Sequence, residues 1–292
     1  MVAEPLIDRA FLEKLERLTL RWNKSFPGLV GGHNTSSFPG PGQEFLDHRT
    51  FHHGDDLRGV NWRAYLRFEK LFMKMFHVEP RVPVRLLLDT SRSMSTGHRG
   101  KFLYAKRLAA ALAYVALVRL ETITVLPFAE GLGDPLLCSG GRHRFAPLAD
   151  FLEDLEPGGA TRFLETVRQF SGRYLQRGLL ILVSDFLDPD GCDRPLQYLA
   201  DLGHEMLLLQ VWDEEDRSPP WYGELELVDA ESGAAEELDF DGEARKRYTR
   251  AFDENARSLE RVALRSGGRY VGLPTSTPMD EAVFGVARPA KG

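Results

Sequence analysis

Val84-Arg85-Leu86-Leu87-Leu88-Asp89-Thr90-Ser91-Arg92-Ser93 is a short apolar run that ends in an acid followed by two alternate serines. A second run of the same kind, Gly178-Leu179-Leu180-Ile181-Leu182-Val183-Ser184, ends in Asp185. Neither run alternates polar with apolar residues. Strands of this type are buried on both faces, as in a parallel sheet sandwiched by helices.

Working outward, the pattern alternates. Residues 101–120 are rich in Ala and Leu and read as helix, and 122–128 as strand. Helices are expected over 145–155 and 163–174, separated by a Pro157-Gly158-Gly159 turn. A helix over 195–202 and a strand over 205–212 follow the second apolar run. Residues 243–265 form a charged amphipathic helix, 269–273 a last strand and 279–286 a closing helix. Strands alternating with helices imply βαβ units, so the fold class is α/β, a doubly wound and mostly parallel sheet. One segment breaks the rhythm. Residues 224–241 read as two short strands around a turn at 229–235, a β-hairpin inserted at about 217–242.

The amino-terminal third is different. Residues 6–22 carry apolar side chains at helical spacing, 27–42 are rich in glycine, proline and serine, and 45–82 are basic and aromatic, with 71–76 reading as strand. The expected division is a helix with a small irregular α+β module over 1–81 and an α/β domain over 82–292.

Composition limits the function classes. The 292 residues are 43% hydrophobic and 27% charged, ordinary for a globular chain that buries its own core. The net charge of -6 argues against a dedicated nucleic-acid binder, although 49–107 is basic and 213–241 acidic. Cys138 and Cys192 stand in no metal-binding array and read as two reduced structural thiols. No apolar run is long enough to cross a bilayer and the start lacks a signal peptide's features, so the expectation is a cytoplasmic protein with no membrane span.

In doubly wound sheets, ligands bind beyond the carboxyl ends of the strands. Asp89 and Asp185 both follow strand ends and should share that rim. Alternate residues in a tight loop can turn the Ser91 and Ser93 hydroxyls toward one point, and Thr161, after the Gly-Gly turn, is placed to join them. Such an all-oxygen set suits a hard divalent cation. Asp188 and Asp190 read as turn residues, and the spacing of His48, His52, His53 and His77 matches no standard metal site.

These residues resemble the metal-ion-dependent adhesion site of von Willebrand factor A domains: Asp-x-Ser-x-Ser, a distant Thr and a distant Asp, all on strand-end loops. The resemblance implies that Ser91, Ser93 and Thr161 coordinate Mg²⁺ or Mn²⁺ directly, with Asp89 and Asp185 acting mainly through water. An open position on the ion would accept a carboxylate from a partner protein. A second resemblance lies upstream, in Gly40-Pro41-Gly42-Gln43-Glu44-Phe45, Arg49, and Gly54-Asp55-Asp56-Leu57-Arg58-Gly59-Val60-Asn61-Trp62-Arg63. It is similar to the bacterial family called domain of unknown function 58, which carries this signature before an A-type domain. Asn61 departs from the family's usual Asp.

That family resemblance implies an accessory protein working with a MoxR-type AAA+ ATPase in the assembly or maturation of other proteins. The alternative is a metal-dependent phosphohydrolase using Asp89. Phosphatases of that kind carry a second Asp two residues on, where this chain has Ser91, and no nucleophile–base pair is apparent. Gly97-His98-Arg99-Gly100-Lys101 has the wrong spacing for a phosphate-binding loop. The expectation is a binding module and not an enzyme. Asp55, Asp56, Arg58 and Arg63 are expected to form ion pairs tying the amino-terminal module to the A domain. Removal of Asp185 is expected to lower metal affinity and spare the metal-free fold, because two facing carboxylates oppose each other.

Overall fold

The computed structural model describes residues 6–22, 36–38, 44–53, 55–78, 83–97, 100–119 and 121–287. The chain divides into two compact units, Val30–Arg81 and the remainder. Each is described by itself.

The larger unit is built on a six-stranded sheet. In chain order its strands are β4 (Val84–Asp89), β5 (Ile123–Phe128), β6 (Leu136–Cys138), β7 (Leu179–Ser184), β8 (Glu205–Trp212) and β11 (Arg269–Pro274), the numbers β1–β3 and β9–β10 belonging to strands described below. The spatial order is β11-β8-β7-β4-β5-β6. All neighbours are parallel except β5 and β6, which run antiparallel at one edge. β6 was not apparent from the sequence, being too short to show a period.

Alternate residues of the central strands feed two separate cores. On one face Leu86, Leu88, Ile181, Val183, Leu207 and Leu209 pack with α3 (Lys101–Val118), α4 (Phe145–Asp154) and α9 (Met279–Ala287). On the other, Leu87, Leu180, Leu182 and Leu208 pack with α5 (Phe163–Arg173), α6 (Asp193–Asp201) and α8 (Gly242–Arg265). Helices thus cover both faces, as the unbroken apolar strands require. α3 is buried all round its circumference from Leu108 to Leu117, which explains its lack of a polar face.

One boundary differs from expectation. The helix α1 (Arg9–Trp22) belongs to the α/β unit and not with the module that follows it. Leu15 is fully buried in the same core as α3 and α9. The Glu16 carboxylate accepts from the Tyr114 hydroxyl at 2.6 Å and from Arg142 at 2.9 Å. Phe11, Leu12 and Leu15 of α1 therefore line a core whose other wall lies far along the chain, which sequence adjacency does not reveal.

The insertion is an antiparallel ribbon of β9 (Gly223–Val228) and β10 (Ala235–Phe240), paired from Gly223 with Phe240 to Val228 with Ala235. It forms no ladder with the main sheet. A one-turn helix, α7 (Glu214–Arg217), precedes it, closed by a capping box between Asp213 and Asp216.

The smaller unit is more regular than its sequence suggests. β1 (Ser36–Phe38), β2 (Glu44–Thr50) and β3 (Phe72–Val78) form an antiparallel sheet in the order β1-β3-β2, with α2 (Trp62–Phe68) between β2 and β3. Asn61, the departure from the expected Asp, caps α2 by accepting from the Ala64 amide at 3.3 Å. Its amide nitrogen lies 2.6 Å from His48 Nε2. Asp55 pairs inside its own unit, with Arg49, whose two nitrogens each reach a carboxylate oxygen at 2.7 Å. The bonds from Arg49, aided by the His52 amide, hold the Asp55 carboxyl at about 2.

Candidate functional site at the carboxyl ends of the strands

Asp89 and Asp185 lie at and just beyond the ends of the neighbouring strands β4 and β7, and both are buried. Asp89 is fixed by two bonds. Its Oδ1 accepts from the Ser91 amide at 2.9 Å, and its Oδ2 accepts from the Ser184 hydroxyl at 2.5 Å. The loop then turns so that the Ser91 and Ser93 hydroxyl oxygens lie 3.0 Å apart. Both serines are buried, as is Thr161.

The loop carrying Thr161 is tied to the Asp89 loop through the backbone. The Gly158 amide donates to the Thr90 carbonyl at 2.7 Å, and the Arg92 amide donates to the Gly159 carbonyl at 3.0 Å. Gly159 has φ +78°, so the turn that makes this contact needs a residue free of Cβ strain. The third loop carries its own strain. Phe186, next to Asp185, has φ +56°, uncommon for a bulky side chain. It is held by its amide donating to the Ser184 hydroxyl at 2.8 Å and by stacking on Phe163 at 5.5 Å. Ser184 thus links Asp89 to the backbone of the Asp185 loop. The five expected residues stand on three loops that are bonded to one another.

Two residues that the sequence did not single out also stand there. Lys101 opens α3, and its Nζ donates to Asp185 Oδ2 at 2.9 Å and to Asp216 Oδ2 at 3.2 Å. Its side chain is fully buried. Burial alone would lower its pKa, but the Asp185 and Asp216 carboxylates outweigh burial and hold it raised. A cation at a helix amino terminus opposes the helix dipole. That misplaced charge was the one available sign of an acidic partner. The second residue is Glu231, in the ribbon's turn. Its carboxylate accepts from the Thr161 hydroxyl at 2.7 Å and from the Thr161 amide at 2.8 Å.

The expectation that removing Asp185 spares the metal-free fold is corrected by Lys101. Asp185 faces a buried ammonium as well as Asp89, so deleting it strips a desolvated cation of its nearer partner. Asp188 behaves as read, in a turn: it accepts from the Asp190 amide at 2.8 Å, and also from the Phe163 amide at 2.8 Å, at the start of α5.

The donor set fits a hard divalent cation. It offers hydroxyl and carboxylate oxygens and no sulfur or imidazole. Burial first, then the Asp185 charge, pushes the Asp89 carboxyl above the usual carboxylate range. Among the described residues, no group of three or more His, Cys, Asp or Glu side chains is arranged to hold a metal. A site here would depend on the hydroxyls. Ser91, Ser93 and Thr161 would hold the ion, with Asp89 and Asp185 behind them.

The model of DUF58, described as a protein of unknown function, matches residues 47–258, well over half the chain. The chain belongs to the DUF58 family. The match begins after Gly40–Phe45, so that part of the upstream signature lies outside it. This DUF58 protein is 25% identical over 284 residues to the uncharacterized protein Rv1480 of Mycobacterium tuberculosis, an alignment covering 94% of this chain and 88% of that one. A 100-residue stretch is 32% identical to the Mycobacterium avium protein MAV169, covering 34% of this chain and 59% of that one. Among solved structures, BatB from Bacteroides thetaiotaomicron is 17% identical with TM-score 0.43, covering 70% of this chain and 96% of its own. A von Willebrand factor type A protein from Catenulispora acidiphila is 13% identical with TM-score 0.46, covering 73% and 42%. The fold class of this DUF58 protein, a doubly wound and mostly parallel α/β sheet, rests on its own strand order and two-sided core. Among its described residues no helix is long and apolar enough to cross a membrane.

Proposed function

We propose that this protein is a cytoplasmic, metal-dependent interaction module. Mg²⁺ or Mn²⁺ is held by Ser91, Ser93 and Thr161 with Asp89 and Asp185 behind, and a partner protein docks by offering an acidic side chain. The ion supplies an electrophilic position with mostly neutral oxygen ligands, suited to ligation more than to turnover. The single observation that carries the reading is the joining of three strand-end loops around the buried Asp89 carboxylate. A MoxR-type AAA+ ATPase is the proposed partner, on the family resemblance alone, and the protein itself is proposed not to be an enzyme.

The test is a pull-down from the native host with tagged wild type and Ser93→Ala, each with Mg²⁺ and with chelator. An AAA+ ATPase retained only by wild type with Mg²⁺ is the expected result. Equal retention in all four samples sinks the metal dependence. Metal-dependent turnover of a phosphate ester, lost in Asp89→Ala, would replace this reading with the hydrolase one.

A further inference from the structure

The inserted ribbon is an exposed element with a single polar attachment. Most of residues 224–239 are exposed, whereas Glu231 in the turn is half-buried against the rim. Among the described residues, the two bonds from Thr161 to the Glu231 carboxylate are the only side-chain hydrogen bonds between the ribbon and the body. The turn is built to aim that carboxylate. Asp229 Oδ1 accepts from the Glu231 amide at 3.1 Å and from the Ser232 amide and hydroxyl at 2.6 Å each. The Gly233 amide donates to the Asp229 carbonyl at 2.9 Å, and Gly233 has φ +72°. The turn is thereby fixed by its own hydrogen bonds around Asp229.

A ribbon held only to itself could lie anywhere on the surface. This one delivers a carboxylate to Thr161, one of the three hydroxyl residues of the candidate metal site. A carboxylate is also the group that an electrophilic ion in that site would take from outside. We propose that Glu231 is a ligand supplied in cis: it occupies the face of the metal site that a partner's acidic side chain must reach, and the ribbon must lift away before the partner can bind. The proposal rests on the metal reading above. It adds a site residue from the insertion and makes the ribbon a competitor of the partner.

Wild type, Glu231→Ala and Ser93→Ala are titrated with Mn²⁺ alone, by calorimetry and by the relaxation of water protons. Loss of the carboxylate should weaken Mn²⁺ binding at least about tenfold, the lower end of what the loss of even an outer-shell partner costs a metal site. Each Mn²⁺ bound to Glu231→Ala should also relax water more strongly, because an open position admits exchanging water. A ribbon contact that is merely structural would leave that relaxation unchanged. Unchanged or tighter Mn²⁺ binding in Glu231→Ala, with relaxation as in wild type, overturns the proposal and leaves the metal reading standing. No Mn²⁺ binding to wild type, or equal binding to wild type and Ser93→Ala, overturns both. If Glu231→Ala does not give a cooperative thermal transition, Glu231→Gln, which keeps the side chain's size, is held to the same two outcomes.

Discussion

Two ion pairs in different regions of this molecule are built from the same kinds of charge at nearly the same separation. Lys101 and Asp185 lie 2.9 Å apart beneath the rim, and Arg49 and Asp55 lie 2.7 Å apart in the smaller unit. The side chains of the first pair are 0% and 1% exposed, and those of the second 32% and 17%. Distance therefore does not distinguish them, but water does. In the more open pair, solvent already stabilises each charge in part, so the bond adds less than it does in the closed pair, and salt weakens it. In the closed pair each charge has lost its hydration, and the partner is the main thing that replaces it. The open pair orders a loop, whereas the closed pair is a condition for burying the rim.

The comparison is broken most sharply at Lys101. Lys101→Met leaves Asp185 and Asp216 without their ammonium, and urea denaturation should show a loss of about 3–5 kcal/mol, the range for removing one member of a buried pair. Saturating Mg²⁺ should return part of that loss if a divalent ion can stand in for the missing charge. A loss no larger than that of Arg49→Ala would end the distinction between the pairs.

Glu205 supplies a case between the two. It starts β8, and burial alone pushes its carboxyl up to about 7. The folded state then binds the proton more tightly than the unfolded state, whose carboxyl has its ordinary value of 4.5. Below the unfolded value both states are protonated and nothing is lost. As pH rises from there through about 7, folding must bear a desolvated charge, and stability falls. Glu205→Gln should match wild type at the acid end of that window and melt higher at pH 8. A parallel Tm-against-pH trace for both proteins would contradict the assignment.

Smaller effects test the open pair and the ribbon. Arg49→Ala should lower the denaturation midpoint less than Lys101→Met does, and added salt should shrink the difference from wild type. Replacing residues 224–239 with a short Gly-Ser linker should move the midpoint least, leaving one cooperative transition for the α/β unit. Phe240 and Asp241 must be kept: Phe240 is buried, and Asp241 caps α8 by accepting from the Ala244 amide at 2.7 Å. Loss of soluble protein in that variant would show that the ribbon supports the fold as well as covering the rim.

The sequence by itself determined the central sheet and the rim. Unbroken apolar runs such as Leu179–Ser184 can be buried only between two layers of helices, and residues that follow parallel strands must share one edge. Asp89, Ser91, Ser93, Thr161 and Asp185 were legible for that reason, as positions along the chain set by strand period and turn chemistry. Only the tertiary structure decided what faces them. Ser184 reaches Asp89 across 95 residues, Lys101 reaches Asp185 across 84, and Glu231 reaches Thr161 across 70. The same holds for α1, whose apolar stripe was visible while its place against α3 was not. Periodicity encodes which face of an element is buried. The partner on that face is chosen by packing and by the need of every buried charge for a counter-charge, and both act between segments that local sequence does not connect.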